Sequence, residues 1–283
     1  MVKEIYIAGE WRLGRGDTIQ SLFPADQSVN AEISTASLDD VNEAIEKADL
    51  AWRKVEWRNS MPHERARILY KVADIIEARV DELSKLQTRD NGKPLAETRA
   101  LTMSAAATAR YVAAACETMN DELTTQRAAD FMTMSVHEPV GVVAAITPWN
   151  SPIASEVQKL APAIAGGNAV ILKPAEVTSL VALELAKIFE EAGLPKGLLS
   201  VLVGRGSVIG DAIVKHPLVR KISFTGGTST GRHLAHIAAE KLITTSLELG
   251  GKSPTIVMQD ADIELAAKGV AYGIFSSAGQ ACI

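Results

Sequence analysis

Gly141-Val142-Val143-Ala144-Ala145-Ile146-Thr147 is followed, after an Ala-rich stretch of helix length, by Ala169-Val170-Ile171-Leu172-Lys173. Both runs are short, apolar and rich in β-branched residues, as strands covered on both faces must be. The same pattern continues to the end of the chain. Strands are expected at 141–147, 169–173, 199–203, 221–225, 243–247 and 255–258, with helices at 154–165, 179–192, 207–215 and 229–241 between them. Gly193, with Pro195 just beyond, closes the second of these helices. Strands alternating with helices make an α/β fold around a parallel sheet, with helices on both faces.

Upstream, residues 1–120 read as mostly helical. Ser37 with Asp40 forms a capping-box signature, and Val41, Ala44, Ile45, Ala48 and Trp52 recur at helical spacing over 38–57. Met61-Pro62 opens a second helix through Leu69, Val72, Ile76, Val80 and Leu83, because Pro suits a first turn. A third covers 96–116. Trp52 and Trp57 are expected as packing anchors. Residues 121–137, polar and irregular, are expected to project as a hairpin that serves oligomerisation.

The chain has 283 residues, 47% of them hydrophobic, and its 29 Lys and Arg against 34 Asp and Glu leave a net charge of −5. This is globular composition with no basic face, so no nucleic-acid partner is expected. Charges stand at the N-terminus (Lys3, Glu4), and the most apolar stretches, 112–116 and 161–172, are broken by Pro162, Asn168 or flanking Arg110 well short of membrane-spanning length, so a cytoplasmic protein without membrane attachment is expected. Cys116 and Cys282 are the only cysteines, which argues against a disulfide scaffold and leaves either thiol free for chemistry. His63, His137, His216, His233 and His236 lack ligand spacing, so no metal is expected.

Two strand-to-helix glycine loops are candidate phosphate sites, since backbone N–H groups and a helix dipole there face an anion. Gly204-Arg205-Gly206-Ser207-Val208-Ile209-Gly210 misses the dinucleotide fingerprint by one residue. The other is Phe224-Thr225-Gly226-Gly227-Thr228-Ser229-Thr230-Gly231. Either loop taken alone reads equally well as a tight turn.

Three further segments decide between these readings: Ile146-Thr147-Pro148-Trp149-Asn150-Ser151-Pro152, Leu247-Glu248-Leu249-Gly250-Gly251-Lys252-Ser253-Pro254 and Phe275-Ser276-Ser277-Ala278-Gly279-Gln280-Ala281-Cys282. With Lys173-Pro174-Ala175-Glu176 and the 224–231 loop, in this order, they resemble the aldehyde dehydrogenase superfamily from the Asn91-Gly92-Lys93-Pro94 turn onward. The resemblance implies a Rossmann-like cofactor part at 138–249 and the start of a second α/β catalytic domain at 250–283. It also implies oxidation of an aldehyde to a carboxylic acid, with Cys282 as nucleophile, Asn150 as oxyanion donor and Glu248 as the base that activates water. Such chemistry needs a soft nucleophile, a donor for the oxyanion and a base against the thioester.

The cofactor contacts the resemblance implies are Ile146, Thr147, Trp149, Lys173, Glu176, Gly206, Gly210, Phe224, Gly226, Gly227, Thr228, Thr230, Gly231 and Leu249. Lys173 and Glu176 would meet the adenosine ribose, and a carboxylate there repels a 2′-phosphate, so NAD is expected over NADP. The chain departs from the family at Gly227, commonly Ser, and at Ser229, commonly Glu, which puts a hydroxyl contact in doubt. The resemblance further implies a homo-oligomer, dimer or tetramer, in a full-length form. Because the sequence stops at Ile283, one residue past Cys282, the chain is expected to be a fragment, its Ile256, Val257, Ile263, Val270 and Ile274 exposed. Two readings follow: part of a working dehydrogenase, or a catalytically inactive cofactor-binding or subunit-interaction module.

Overall fold

A computed structural model describes residues 1–282 of the chain. In order, the N-terminal elements are β1 (Ile5–Ile7), β2 (Glu10–Arg12), β3 (Thr18–Leu22), β4 (Val29–Ser34), α1 (Leu38–Trp52), α2 (Val55–Arg58), α3 (Pro62–Ala78), α4 (Val80–Asn91) and α5 (Leu95–Thr118). The two-residue strands β5 (Glu122–Leu123) and β6 (Met134–Ser135) pair antiparallel. Then come β7 (Val142–Ile146), α6 (Pro152–Ala165), β8 (Ala169–Lys173), α7 (Leu180–Glu191), β9 (Leu199–Val201), α8 (Asp211–Lys215), β10 (Val219–Gly226), α9 (Thr228–Lys241), β11 (Thr244–Leu249) and α10 (Ile263–Phe275).

The α/β reading holds. One seven-stranded sheet runs in the order β11-β10-β7-β8-β9-β1-β2, and its five strands from β7 to β11 are parallel. Every residue of β7, β8 and β9 is buried, as sheet strands covered on both faces require. Helices α6 and α7 pack on one face, and α1, α8 and α9 on the other. Outside α6 lie α3 and α5, so the helical region forms an extra layer over one face. Trp57 anchors it: the ring is buried and its Nε1 donates to the Gly167 carbonyl at 2.8 Å.

Local signals in the sequence translate directly. Ser37 caps α1 and Asp40 closes the capping box; the buried Asp40 carboxylate also accepts from Arg12 and from the Arg15 backbone. Pro62 sits in the first turn of α3. Gly92 ends α4 in the left-handed region at φ +76°, where a side chain would meet Pro24 at 3.2 Å.

Three expectations are corrected. Residues 1–34 are not helical: they hold β1 to β4, with β1 adding antiparallel to β9 through Tyr6 and Val201, and β3 pairing with β4. Strands β1 and β2, of three residues each, are too short to show alternation, and β1 joins the sheet by pairing with distant chain. The single helices expected at 38–57 and through Leu83 each divide, at Arg53–Lys54 and at Arg79. Finally, 255–258 is not a strand. No strand lies beside it among the described residues, and Ile256 and Val257 are exposed, as are Ile263, Val270 and Ile274. An apolar run with no ladder partner gains no hydrogen bonds from extending.

Candidate active site

The site grows from the strand order. The chain passes from β9 across to β10, which pairs with β7 on its other side, so strand order reverses between β7 and β10. In open α/β sheets a crevice forms outside the carboxyl ends of the strands at such a point. The ladder register lines up Lys173 with Ile146, Ile146 with Phe224, and Phe224 with Leu247 at those ends. One residue further, Thr225 pairs with Glu248, then Gly226 with Leu249.

Along one flank, Lys173 is buried with its ammonium on the Pro174 carbonyl (3.0 Å) and the Glu176 carboxylate (3.4 Å). Burial lowers its pKa and Glu176 opposes that shift. A π-helical turn at Gly206–Gly210 closes over this lysine. Side chains at Gly206 and Gly210 would come within 4.0 Å and 3.8 Å of it, so the glycines keep the wall thin. Thr147 is buried and its hydroxyl oxygen has no partner.

On the other flank, α9 begins at Gly227 with no side chain capping it, so its first N–H groups face the strand ends. A side chain at Gly227 would meet nothing within 4 Å, whereas at Gly226 it would strike the Phe224 ring at 2.6 Å. Gly231 has a different role. Its missing side chain makes room for Leu249, which would lie 2.4 Å away, so it serves packing of α9 on β11. Thr228 is half-buried, Thr230 is exposed, and Trp149 stands half-exposed in the loop after β7.

The three residues assigned to chemistry occupy two places. Asn150 precedes α6, and its Nδ2 donates to the Gln280 carbonyl at 2.9 Å, two residues before Cys282. Cys282 is exposed, as is Glu248 on β11. Lys159 on α6, which the sequence reading did not single out, donates to Ser223 Oγ at 3.2 Å and faces Glu248. Burial pushes its pKa down to about 8, against the pull of Glu248.

The segment leading to Cys282 is held in an unusual conformation. Ser277, Ala278 and Gly279 take left-handed backbone in succession, at φ +57°, +54° and +75°. Non-glycine residues there cost about 1–2 kcal/mol each. Contacts to the Asn91-Gly92-Lys93-Pro94 turn and α5 hold it. The Ser277 N–H donates to Glu97 Oε1 (2.8 Å), Gln280 Nε2 to the Asn91 carbonyl (3.2 Å), and Asn91 Nδ2 to the Asn150 carbonyl (3.4 Å). The quoted motifs contain Asn91, Lys93 and Gln280 but do not show that they meet.

Among the described residues, no three His, Cys, Asp or Glu side chains gather as a metal site, and no helix is long and apolar enough to cross a membrane.

Known proteins share this fold. The chain is 42% identical over 286 aligned positions to phenylacetaldehyde dehydrogenase of Pseudomonas fluorescens, covering 99% of this chain and 57% of that protein. Betaine aldehyde dehydrogenase of Staphylococcus aureus, solved with NAD+, superposes at a TM-score of 0.97 with 36% identity, over 99% of this chain and 56% of that one. The NAD+ complex of an aldehyde dehydrogenase from Bacillus cereus superposes at 0.96 with 37% identity, over 100% of this chain and 58% of that one. This chain therefore spans little more than half the length of the relatives it matches. The sequence model of the aldehyde dehydrogenase family fits residues 11–283, and the chain belongs to the aldehyde dehydrogenase family.

Proposed function

We propose that these residues carry out the NAD-dependent oxidation of an aldehyde to a carboxylic acid. The observation that supports this reading best is the Asn150 amide on the Gln280 carbonyl, which sets a strong donor beside the cysteine segment at the mouth of the crevice. The Cys282 thiolate attacks the aldehyde carbon to form a thiohemiacetal, and Asn150 Nδ2, with the Cys282 backbone N–H, receives the oxyanion. Asn150 exchanges its bond to Gln280 for this one.

Residues lining the crevice suit a dinucleotide. The uncapped start of α9, open at Gly227 and Thr228, suits a pyrophosphate, while Lys173 and Glu176 suit the ribose hydroxyls. Ile146, Thr147, Trp149, Phe224, Gly226 and Leu249 would line the path between. Bound NAD would supply the hydride acceptor. The Glu176 carboxylate disfavours a 2′-phosphate, hence NAD over NADP. Glu248 then takes a proton from the water that attacks the thioester.

The β5–β6 hairpin exposes Leu123, Phe131, Met132, Met134 and Val136, an apolar surface we assign to contact with a second copy in a homo-oligomer. Two unpaired thiols fit a cytoplasmic protein. A second reading, a cofactor-binding module without turnover, is favoured by one feature. Helix α10 buries none of its residues, so its apolar side chains have no cover among the described residues.

The test is NADH formation from phenylacetaldehyde and betaine aldehyde as probes, alongside NAD binding by calorimetry. Turnover that Cys282→Ala abolishes while NAD still binds supports the oxidation. NAD binding without turnover supports the module, and an unchanged rate in Cys282→Ala refutes Cys282 as nucleophile.

A further inference from the structure

Between α10 and Cys282 the chain takes a path that local propensity opposes. Ser277 and Ala278 carry side chains at φ +57° and +54°, ahead of Gly279 at +75°. Successive left-handed residues of this kind persist only where contacts from outside over-determine them. Within the segment, the Gln280 N–H donates back to the Ser277 carbonyl at 3.0 Å and closes the turn. From outside, Glu97 Oε1 accepts the Ser277 N–H at 2.8 Å, across 180 positions of chain.

The remaining bonds meet the chain further on, at Gln280. Its Nε2 donates to the Asn91 carbonyl, and its own carbonyl accepts from Asn150 Nδ2. Asn91 is fixed in turn: its Oδ1 accepts the Lys93 N–H at 3.1 Å, and its Nδ2 reaches the Asn150 carbonyl. The buried Lys93 ammonium donates to Ser151 Oγ at 3.4 Å, which ties the same turn to the start of α6. These bonds form a platform under Gln280 but do not reach the left-handed residues before it. Glu97 does. It stands in the first turn of α5, where its own N–H and that of Thr98 donate to the Pro94 carbonyl. An acidic residue there ordinarily serves the helix dipole, yet this one turns an oxygen to the backbone of a distant segment.

We propose that Glu97 is a positioning residue for the cysteine segment: its carboxylate holds the left-handed backbone at Ser277 and thereby seats Gln280 on the Asn91–Asn150 platform, two residues before Cys282. The inference deepens the assignment of Cys282 as nucleophile and rests on it for its significance, but its physical readout does not need turnover.

The test is hydrogen–deuterium exchange of the backbone at 276–282, read by mass spectrometry. In Glu97→Ala this stretch is expected to exchange about tenfold faster or more, the effect of losing a hydrogen bond to a charged acceptor, while peptides from β7 and β8 keep their wild-type rates. Glu97→Gln, whose amide oxygen still accepts from Ser277, is expected to stay closer to wild type than to Glu97→Ala. Ser277→Gly placed on Glu97→Ala should recover much of the protection, because glycine takes a positive φ without steric cost. A residue that merely stabilises α5 would not be rescued by a glycine 180 positions away. Wild-type exchange in Glu97→Ala overturns the proposal, as does a Glu97→Gln that exchanges as fast as the alanine variant or a double variant that recovers nothing. Should Glu97→Ala fail to fold, Glu97→Met, which keeps the stem and lacks the acceptor, decides in its place. Exchange that responds as expected, in a protein whose aldehyde oxidation survives Cys282→Ala, leaves Glu97 as the holder of this segment and removes the nucleophile assignment instead.

Discussion

Asp90 offers a quantitative test of how the helical layer packs on the sheet. It lies near the end of α4, where it accepts from Ser21 Oγ at 2.7 Å and from the Leu180 N–H at 2.9 Å, almost fully buried. Burial outweighs both hydrogen bonds and raises its pKa from an ordinary 3.8 to about 6. Glu156 on α6 stands nearby, fully buried with neither oxygen hydrogen-bonded. Burial first, and Asp90 second, push its pKa well up as well. Between about pH 4 and about pH 6 the folded protein retains the Asp90 proton that the unfolded chain has released, so stability falls as pH rises through this window. A rise from 3.8 to about 6 corresponds to about 3 kcal/mol, fully lost above the upper value. Asp90→Asn cannot ionise, so it escapes this loss while carrying a constant cost for the altered hydrogen bonds. The difference in unfolding free energy between wild type and variant should therefore move by about 3 kcal/mol in the variant's favour between about pH 4 and about pH 7. Carboxylates held low by hydrogen bonds and cations, such as Asp40 and Asp49, work in the opposite direction but cancel in the difference. Urea unfolding followed by circular dichroism measures it. A difference flat to within about 1 kcal/mol, or one of opposite slope, refutes the reasoning.

Trp57→Ala is expected to cost about 3–5 kcal/mol in the same unfolding assay, because the ring is buried and its N–H bond to Gly167 is lost. Gly92→Ala forces a left-handed backbone on a residue with a side chain, at about 1–2 kcal/mol, and crowds Pro24; a smaller loss would mean the turn relaxes. Gly226→Ala drives a methyl into the buried Phe224 ring, a clash of about 1–3 kcal/mol, and calorimetry should show NAD affinity falling at least severalfold. Asn150→Ala is expected to lower kcat about 10²–10³-fold with little change in NAD affinity, read from steady-state NADH formation.

Much of the fold was legible because its signals are local. The apolar runs of β7 and β8, the Ser37–Asp40 cap, Pro62 and Gly193 each act within a few residues, and each produced the element expected. Strands β1 and β2 were invisible for the converse reason: each has three residues, and Tyr6 becomes strand by pairing with Val201, far away in sequence. The run at 255–258 carries the right residue types and still stays irregular without a ladder partner. At the site, motif order named Cys282, Glu248 and Asn150, whereas Lys93, Glu97 and Lys159 are ordinary turn or helix lysines and a glutamate until the chain folds around them.

What the sequence by itself determined is the inventory: which segments extend, which coil, where they stop, and which residue types recur in the order of this family. What only the tertiary structure decided is adjacency. The placement of β10 beside β7 aligns Lys173, Ile146 and Phe224 across the sheet, and the Asn91 turn meets Gln280 across 189 positions of chain. A hydrogen bond between groups so far apart acts only once burial elsewhere has brought them together, because closing such a loop costs entropy that no local pattern offsets.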